Sequence, residues 1–207
     1  AEHIIKQSSW SIFGFKIWSR CCKKQISNTP HYCGHGPDHS LGRRIASEHA
    51  QACIDAKIMI SGMNAEVEPG QWEFQIGPSI GIEAGDHMWL ARYLLISIAE
   101  KYKIAVNFEP KPFPNLAGSG CHVNFSTNDM RTYNTGFDHI MQAINLLAID
   151  HDVHMRLFGT GNQDRLIGSH ETASSDEFTY GIRSRTTSIR IGHDTNINKG
   201  GYFEDRR

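Results

Sequence analysis

The sequence has no apolar run of the roughly eighteen residues that a membrane-spanning helix needs. It also lacks the basic stretch followed by an apolar core that marks a secretory signal. Positive and negative charges are nearly balanced, because the 207 residues include 21 lysines and arginines and 22 aspartates and glutamates. Such a balance argues against nucleic acid or a membrane surface as partner. We therefore expect a cytoplasmic protein that binds neither of them.

The cysteines show no spacing typical of a zinc site or a redox pair, and their number, five, is odd. Reduced thiols in the cytosol are the simplest interpretation. Internal repeats and low-complexity tracts are absent as well. A chain of this length suits one moderate domain that can bury a real core.

Apolar spacing predicts three helices, one between Asp38 and Lys57, one capped by Asp86, and one from about Phe137 to Asp150. The buried face of the first helix should carry Leu41, Ile45, Cys53 and Ile54. That of the second should carry Ala91, Leu94, Leu95, Ile98 and Tyr102, and that of the third Ile140, Met141, Ile144, Leu147 and Ala148. Strands are expected at 58–61, 71–76, 104–108, 121–126 and 187–191. The Pro- and Gly-rich segment 109–120 fits neither element. The fold class is α+β with a mainly antiparallel sheet.

Two predicted strands carry unusually polar faces. Gln71, Glu73 and Gln75 alternate with apolar residues, and His122 lies on the polar face of the 121–126 strand. Either face alone is explained by solvent exposure, because antiparallel sheets commonly wet one side. Carboxylates, imidazole and guanidinium groups together could instead line a cavity for a divalent metal and phosphate.

Five segments together resemble the catalytic domain of glutamine synthetase of the eukaryotic type, from about Tyr32 to Arg207. They are "NAEVEPGQWEFQIGP", "GSGCHVNFST", "RLIGSHETAS", "SRTTSIRIG" and "KGGYFEDRR". Ordered matches of this length are far more specific than one short motif. The resemblance implies a curved antiparallel sheet with outer helices, whose polar faces line a funnel.

The resemblance also implies a role for each matched position. Metal ligands for Mg²⁺ or Mn²⁺ would be Glu66, Glu73, His122 and Glu204. The nucleotide would lie near Glu73, Asn124, Phe125, Ser126, Arg185, Arg190 and Tyr202. The substrate would contact Asn115, Leu116, Gly118, Arg165, Arg185 and Arg206. Catalytic roles fall to a flap glutamate and two arginines that stabilise phosphoryl transfer, namely Glu171, Arg185 and Arg190.

The implied reaction joins ammonia to the side-chain carboxylate of L-glutamate. That carboxylate attacks the γ-phosphate of ATP, and ammonia then displaces phosphate from the acyl phosphate. Metals and arginines suit this chemistry because charge must be offset at several oxygens at once. The family further implies a ring-shaped homo-oligomer in the full-length form.

Three positions depart from the family pattern. Lys16 and Trp18 stand where two metal-binding glutamates are expected, and Ala117 stands where the substrate loop usually has asparagine. We therefore divide the chain into a divergent or aberrant segment, 1–30, and a partial catalytic domain, 31–207, and expect a fragment or truncated relative. Two alternatives stay open: a catalytically inactive structural or interaction protein, and a ligase for a different acid or amine.

Overall fold

The computed structural model describes residues 8–18, 31–36, 41–169 and 171–207. Eight strands and six helices lie within these ranges. In chain order they are β1 (Ser8–Trp18), α1 (Arg43–Asp55), β2 (Ile60–Ala65), β3 (Gln71–Ile80), α2 (Glu83–Lys101), β4 (Ala105–Asn107), β5 (Cys121–Ser126), α3 (Gly136–Ile149), α4 (His151–Leu157), α5 (Asn162–Arg165), β6 (Tyr180–Ile182), β7 (Ile189–Ile191), α6 (His193–Asn198) and β8 (Phe203–Asp205).

All eight strands belong to one sheet. Their order is β2-β3-β1-β5-β8-β7-β6, and β4 pairs with β1. The β6–β7 pair is parallel, whereas the other pairs are antiparallel. This confirms the α+β class with a mainly antiparallel sheet. None of the described helices is long and apolar enough to span a membrane.

Strand register brings the polar faces of the motifs to one part of the sheet. Glu204 of β8 lies opposite Arg190 of β7 and, on its other side, opposite Asn124 of β5. Glu73 of β3 lies opposite Asn64 of β2. Directly opposed residues project to the same side of a sheet, so these pairs share one face.

Two apolar cores hold the sheet from the helix side. In the first, α1 and α2 cover the apolar face of β3, where Trp72, Phe74 and Ile76 are at most 1% exposed. In the second, Ile140 and Ile144 of α3 pack against residues of β7 and β8. The polar face of β3 is thereby fixed, because its apolar face is fully committed to packing.

The three predicted helices are present at the expected places in the chain, but the cap of one and the burial of some residues need correction. Helix α2 begins at Glu83, and Asp86 lies in its first turn rather than at the cap. A carboxylate is favourable at either place, which is why the two are hard to distinguish from sequence. Three residues predicted to be buried are instead exposed: Leu41, Ile54 and Ala148.

The face of α1 was misjudged because one of its buried residues is polar. His49 is buried beside Cys53, and together with Ile45 and Ala46 it forms the inner stripe of the helix. A search for apolar residues passes over such a histidine. The expected strand at 58–61 is displaced to β2, whereas 121–126 matches β5 and segment 109–120 contains no helix or strand, as predicted.

His49 gives stability a dependence on pH. Its Nε2 donates to the carbonyl oxygen of Ala91 at 2.9 Å, and its ring meets Phe74 edge-on. Burial lowers the pKa of His49 below its ordinary value, although the backbone hydrogen bond opposes this shift. The unfolded chain therefore takes up this proton at a higher pH than the folded chain does. The contribution of buried, neutral His49 to stability is therefore complete above the ordinary histidine pKa. It is lost as the pH falls through that value toward the lower pKa that His49 has in the folded chain.

We expect His49→Gln to be less stable than the parent at pH 7.5, and the difference to shrink by pH 5.5. Urea unfolding at several pH values between these limits measures both proteins. His139, which is exposed on α3, supplies the control substitution His139→Gln. A difference between parent and His49→Gln that stays constant over this range would contradict the assignment of the acid sensitivity to His49.

Candidate active site

One cavity of about 320 Å³ opens on the polar side of the sheet. Strands β3, β5, β7 and β8 supply its floor, and loops supply its walls. Its lining includes Glu66, Glu73, Gly118, His122, Arg165, Glu171, Arg185, Arg190, Glu204 and Arg206. These ten candidates, drawn from five sequence segments, therefore surround one space.

Two carboxyl groups meet on the β3 side of the cavity. The carboxyl groups of Glu66 and Glu73 lie close together, and Glu73 Oε1 accepts a hydrogen bond from Gln75 Nε2 at 2.9 Å. Burial, followed by the Glu66 contact, raises the pKa of Glu73 to about 7. Two carboxylates in contact favour a shared proton or a bound cation between them.

Basic groups surround Glu204 on the opposite side. Its Oε2 lies 2.5 Å from Arg190 Nε, and its Oε1 lies 3.0 Å from Arg206 Nη1 and 3.2 Å from His122 Nδ1. Burial alone would raise the pKa of Glu204, but His122, Arg206 and Arg190 together lower it to about 2. The carboxylate thus stays ionised and accepts a hydrogen bond from Arg206, whereas its contact with Arg190 is an ion pair without hydrogen-bond geometry.

Arg165 forms the wall between these two regions and the 109–120 loop. Its Nε and Nη2 donate to Asn162 Oδ1, and Nη2 also donates to the carbonyl oxygen of Arg206 at 3.1 Å. The residue is 6% exposed, and burial followed by the charge of Arg206 lowers its pKa to about 10. No acidic side chain of residues 31–36, 41–169 or 171–207 forms an ion pair with it.

Glu171, the predicted flap glutamate, contacts two of the arginines that line the cavity. Glu171 Oε2 accepts a bond from Arg185 Nη1 at 2.9 Å, and its carbonyl oxygen accepts one from Arg206 Nη2 at 3.2 Å. Glu171 and Arg185 are both exposed, so this ion pair is weak and easily broken. This ion pair therefore does little to fix the position of the Glu171 side chain.

Six predicted site residues lie outside the lining of the cavity. They are Asn115, Leu116, Asn124, Phe125, Ser126 and Tyr202. Phe125 packs against Phe203 on the helix side of the sheet, and Ser126 Oγ accepts a bond from Arg131. Asn115, Leu116 and Tyr202 are exposed. Asn124 lies half-buried beside Glu204 in the register, next to the cavity rim.

Some lining residues went unnoticed in the sequence, among them Tyr32, Asn64 and Thr172. Strand pairing could have found Asn64, because it lies opposite Glu73 in β2. Tyr32 is isolated from the other motifs along the chain, and Thr172 follows the flap glutamate without a pattern of its own. Only the folded arrangement brings these two to the cavity.

The donor groups of the described side chains fit one divalent cation but not two. Hard dications prefer carboxylate oxygens, which the contacting Glu66 and Glu73 supply. Glu204 is already neutralised by Arg190 and Arg206, so as arranged it does not suit a second cation. Within the described ranges, no three or more His, Cys, Asp or Glu side chains are grouped as a metal site.

The family model described as "Glutamine synthetase, catalytic domain" matches residues 7–145. The match thus begins before β1 and includes the first two motifs. The chain is 50% identical over 179 residues to the chloroplastic glutamine synthetase of Oryza sativa subsp. japonica, covering 86% of this chain and 42% of that protein. It is 51% identical over 179 residues to glutamine synthetase root isozyme A of Pisum sativum, covering 86% and 50%.

A solved structure shares the fold. The cryo-EM structure of Plasmodium falciparum glutamine synthetase superposes with a TM-score of 0.77 at 16% identity, over 97% of this chain and 47% of that one. The chain spans half or less of the length of these relatives.

Proposed function

Because the chain belongs to the family of the glutamine synthetase catalytic domain, we propose that it supplies part of the active site of an enzyme that makes glutamine. The reaction would join ammonia to the side-chain carboxylate of L-glutamate at the expense of ATP, through an acyl phosphate. The proposal assigns 31–207 to this catalytic domain. The relatives' names support it, since they are glutamine synthetases at about half identity.

The observation that carries the proposal is the convergence of four arginines on one cavity. Arg165, Arg185, Arg190 and Arg206 all line it, and Arg165 has no acidic partner in the described part of the chain. The buried Nε of Arg206 also finds no acceptor among the described groups. Donors held in place before a ligand arrives suit a substrate that carries two carboxylates and a transferring phosphoryl group.

Each basic group receives a separate task in the proposal. Arg165 and Arg206 would hold the L-glutamate carboxylates, with Gly118 allowing close approach of the substrate. Arg190, oriented by Glu204, would offset charge on the transferring phosphoryl group together with Arg185. Glu171 would close over the intermediate and exclude water, since an acyl phosphate is readily hydrolysed.

Mg²⁺ or Mn²⁺ would be held by Glu66 and Glu73, and such a cation neutralises phosphate oxygens when it is bound. The two remaining expected ligands, His122 and Glu204, would then orient Arg206 and Arg190 instead. ATP would lie toward Asn124, on the β5 side of the cavity. Relatives named chloroplastic and relatives named cytosolic match equally well, so the cytoplasmic location stays a prediction.

The proposal includes assembly into a homo-oligomer. Helix α2 has apolar residues on its outer side as well as its inner one, and Trp89 and Tyr93 are 70% and 65% exposed. An exposed apolar surface of this kind is typical of an interface. The ring expected from the family would cover such a surface.

Replacing Arg165 tests the proposed substrate. We expect Arg165→Gln to bind L-glutamate at least about 30-fold more weakly than the parent, because a buried charge that pairs with a carboxylate is lost. Arg165→Lys, which keeps the charge but not the planar fork, should lie between the two. Isothermal titration calorimetry with L-glutamate, and with the shorter L-aspartate for comparison, measures the difference.

The matched control is Arg156→Gln, an exposed arginine on α4. Its affinity for L-glutamate should equal that of the parent, and circular dichroism should show that all variants are folded. A parent chain that binds L-glutamate no better than L-aspartate, or an unaffected Arg165→Gln, would overturn the proposal.

A further inference from the structure

Two side chains outside the expected catalytic set hold the loop beside Arg165. Glu68 Oε1 accepts a hydrogen bond from the backbone N–H of Ala117 at 2.9 Å. Gln71 Nε2 donates to the carbonyl oxygen of Gly118 and to Ser119 Oγ, both at 2.9 Å. Three consecutive loop residues are thus bonded to the turn between β2 and β3 and to the first residue of β3.

The turn presents these two side chains rigidly. The N–H of Gln71 donates to the carbonyl oxygen of Glu68 at 2.9 Å, and the N–H of Glu68 donates to Gln71 Oε1 at 3.2 Å. Gly70 adopts φ 74°, a conformation that glycine takes without strain, and so closes the turn. Gln71 is 3% exposed, which excludes water as a competitor for its amide.

The clamped loop lies directly against Arg165. A Cβ atom added to Gly118 would stand 2.7 Å from Arg165 Cγ and 2.6 Å from the carbonyl oxygen of Pro110. The N–H of Ser119 donates to that same oxygen of Pro110 at 2.8 Å. Any outward movement of residues 117–119 would therefore open space around the Arg165 side chain.

The clamp also decides which loop groups face a ligand. The N–H of Ala117 and the carbonyl oxygen of Gly118 both point toward the β2–β3 turn. Alanine has no polar side-chain atom to replace them at position 117. A ligand at this wall therefore meets the guanidinium of Arg165, whereas these two backbone groups are already hydrogen-bonded to Glu68 and Gln71.

We infer that Glu68 and Gln71 are positioning residues, which fix residues 117–119 against Arg165 and thereby set the affinity for a substrate carboxylate. The part that concerns L-glutamate rests on the proposed function. The hydrogen bond between a carboxylate and a backbone N–H is strong because the acceptor is charged. Losing such a bond commonly costs about tenfold or more in an equilibrium constant.

The test compares Glu68→Ala with Glu68→Gln in the full chain. Amide hydrogen exchange at Ala117 should become about tenfold faster in Glu68→Ala, since the carboxylate acceptor is gone. Glu68→Gln keeps an oxygen acceptor at the same place and should restore most of the protection. The affinity for L-glutamate, measured by calorimetry, should follow the same order with a change of about tenfold in Glu68→Ala.

Glu109→Ala is the matched control, because Glu109 begins the same loop and, within the described part of the chain, bonds only to nearby Asn107. It should leave both readouts at the parent values. Unchanged exchange at Ala117 in Glu68→Ala overturns the clamp. Faster exchange with unchanged L-glutamate affinity overturns the positioning role. A parent chain that binds no L-glutamate overturns the proposed function, and the exchange data then still decide whether the clamp exists.

Discussion

Replacing Lys16 and Trp18 together with glutamate is expected to tighten Mn²⁺ binding by at least about tenfold. Lys16 and Trp18 stand where the family pattern has metal-binding carboxylates. Strand β1 pairs with β3 as far as Lys16, which lies opposite Gln71, so position 16 adjoins the strand that carries Glu73. Among the described residues, the neighbouring carboxylates that can hold a cation are Glu66 and Glu73.

The size of the effect follows from charge and distance. Position 16 pairs with Gln71, and position 14 pairs with Glu73, so position 16 is a diagonal neighbour of Glu73. Such neighbours lie about 7–8 Å apart. At an effective dielectric constant near 20, one unit charge at that distance changes the energy of a dication by several kcal/mol. Lys→Glu changes the charge by two units, so tenfold is a conservative expectation even after screening.

Calorimetric titration with Mn²⁺ measures the gain, and two further variants locate it. Lys103→Glu makes the same two-unit charge change as Lys16→Glu, but at an exposed turn, and should leave the affinity near the parent value. Adding Glu73→Gln to the double variant should remove the gain, because the cation would lose a ligand within the cavity. An affinity that does not rise, or that rises equally with Lys103→Glu, would mean that β1 does not face the cation.

The polar faces of the strands could be predicted from the sequence because β periodicity is simple. Alternation in β3 and β5 assigns Glu73 and His122 to a different side from Trp72, and the register confirms the segments as strands. The motif order then supplied the family, which the family model confirms. Local pattern and family pattern agreed on these elements.

Contacts between distant segments could not be predicted in the same way. Glu68 and Ala117 are 49 positions apart, and no pattern in the sequence connects them. The same holds for the arginine contacts of Glu204, which was expected to bind a metal. The side of α1 that is buried was also misjudged, since His49 rather than Ile54 faces the core. Such details depend on which groups the fold places next to one another in three dimensions.

Trp72→Ala is expected to destabilise the chain by about 3–5 kcal/mol. The Trp72 side chain is 1% exposed at the centre of the first core. Its Nε1 donates to the carbonyl oxygen of Leu41 at 2.8 Å, and the guanidinium of Arg43 lies 5.1 Å from its ring centre. Removing the ring leaves a cavity and also removes the hydrogen-bond donor to the carbonyl oxygen of Leu41. Since typical domains are stable by about 5–15 kcal/mol, a large share of the total would be lost.

Urea unfolding followed by circular dichroism measures the change, with Tyr133→Ala as the control. Tyr133 is 65% exposed and lies outside the proposed interface on α2, so its loss should cost less than about 1 kcal/mol. Trp72→Phe keeps most of the volume without the donor and should lie between these values. Equal stability losses for the two alanine variants would show that β3 does not bury its apolar face. Glu73 and Gln71 would then have no rigid strand to hold them in the cavity, because their orientation depends on Trp72 being packed behind them.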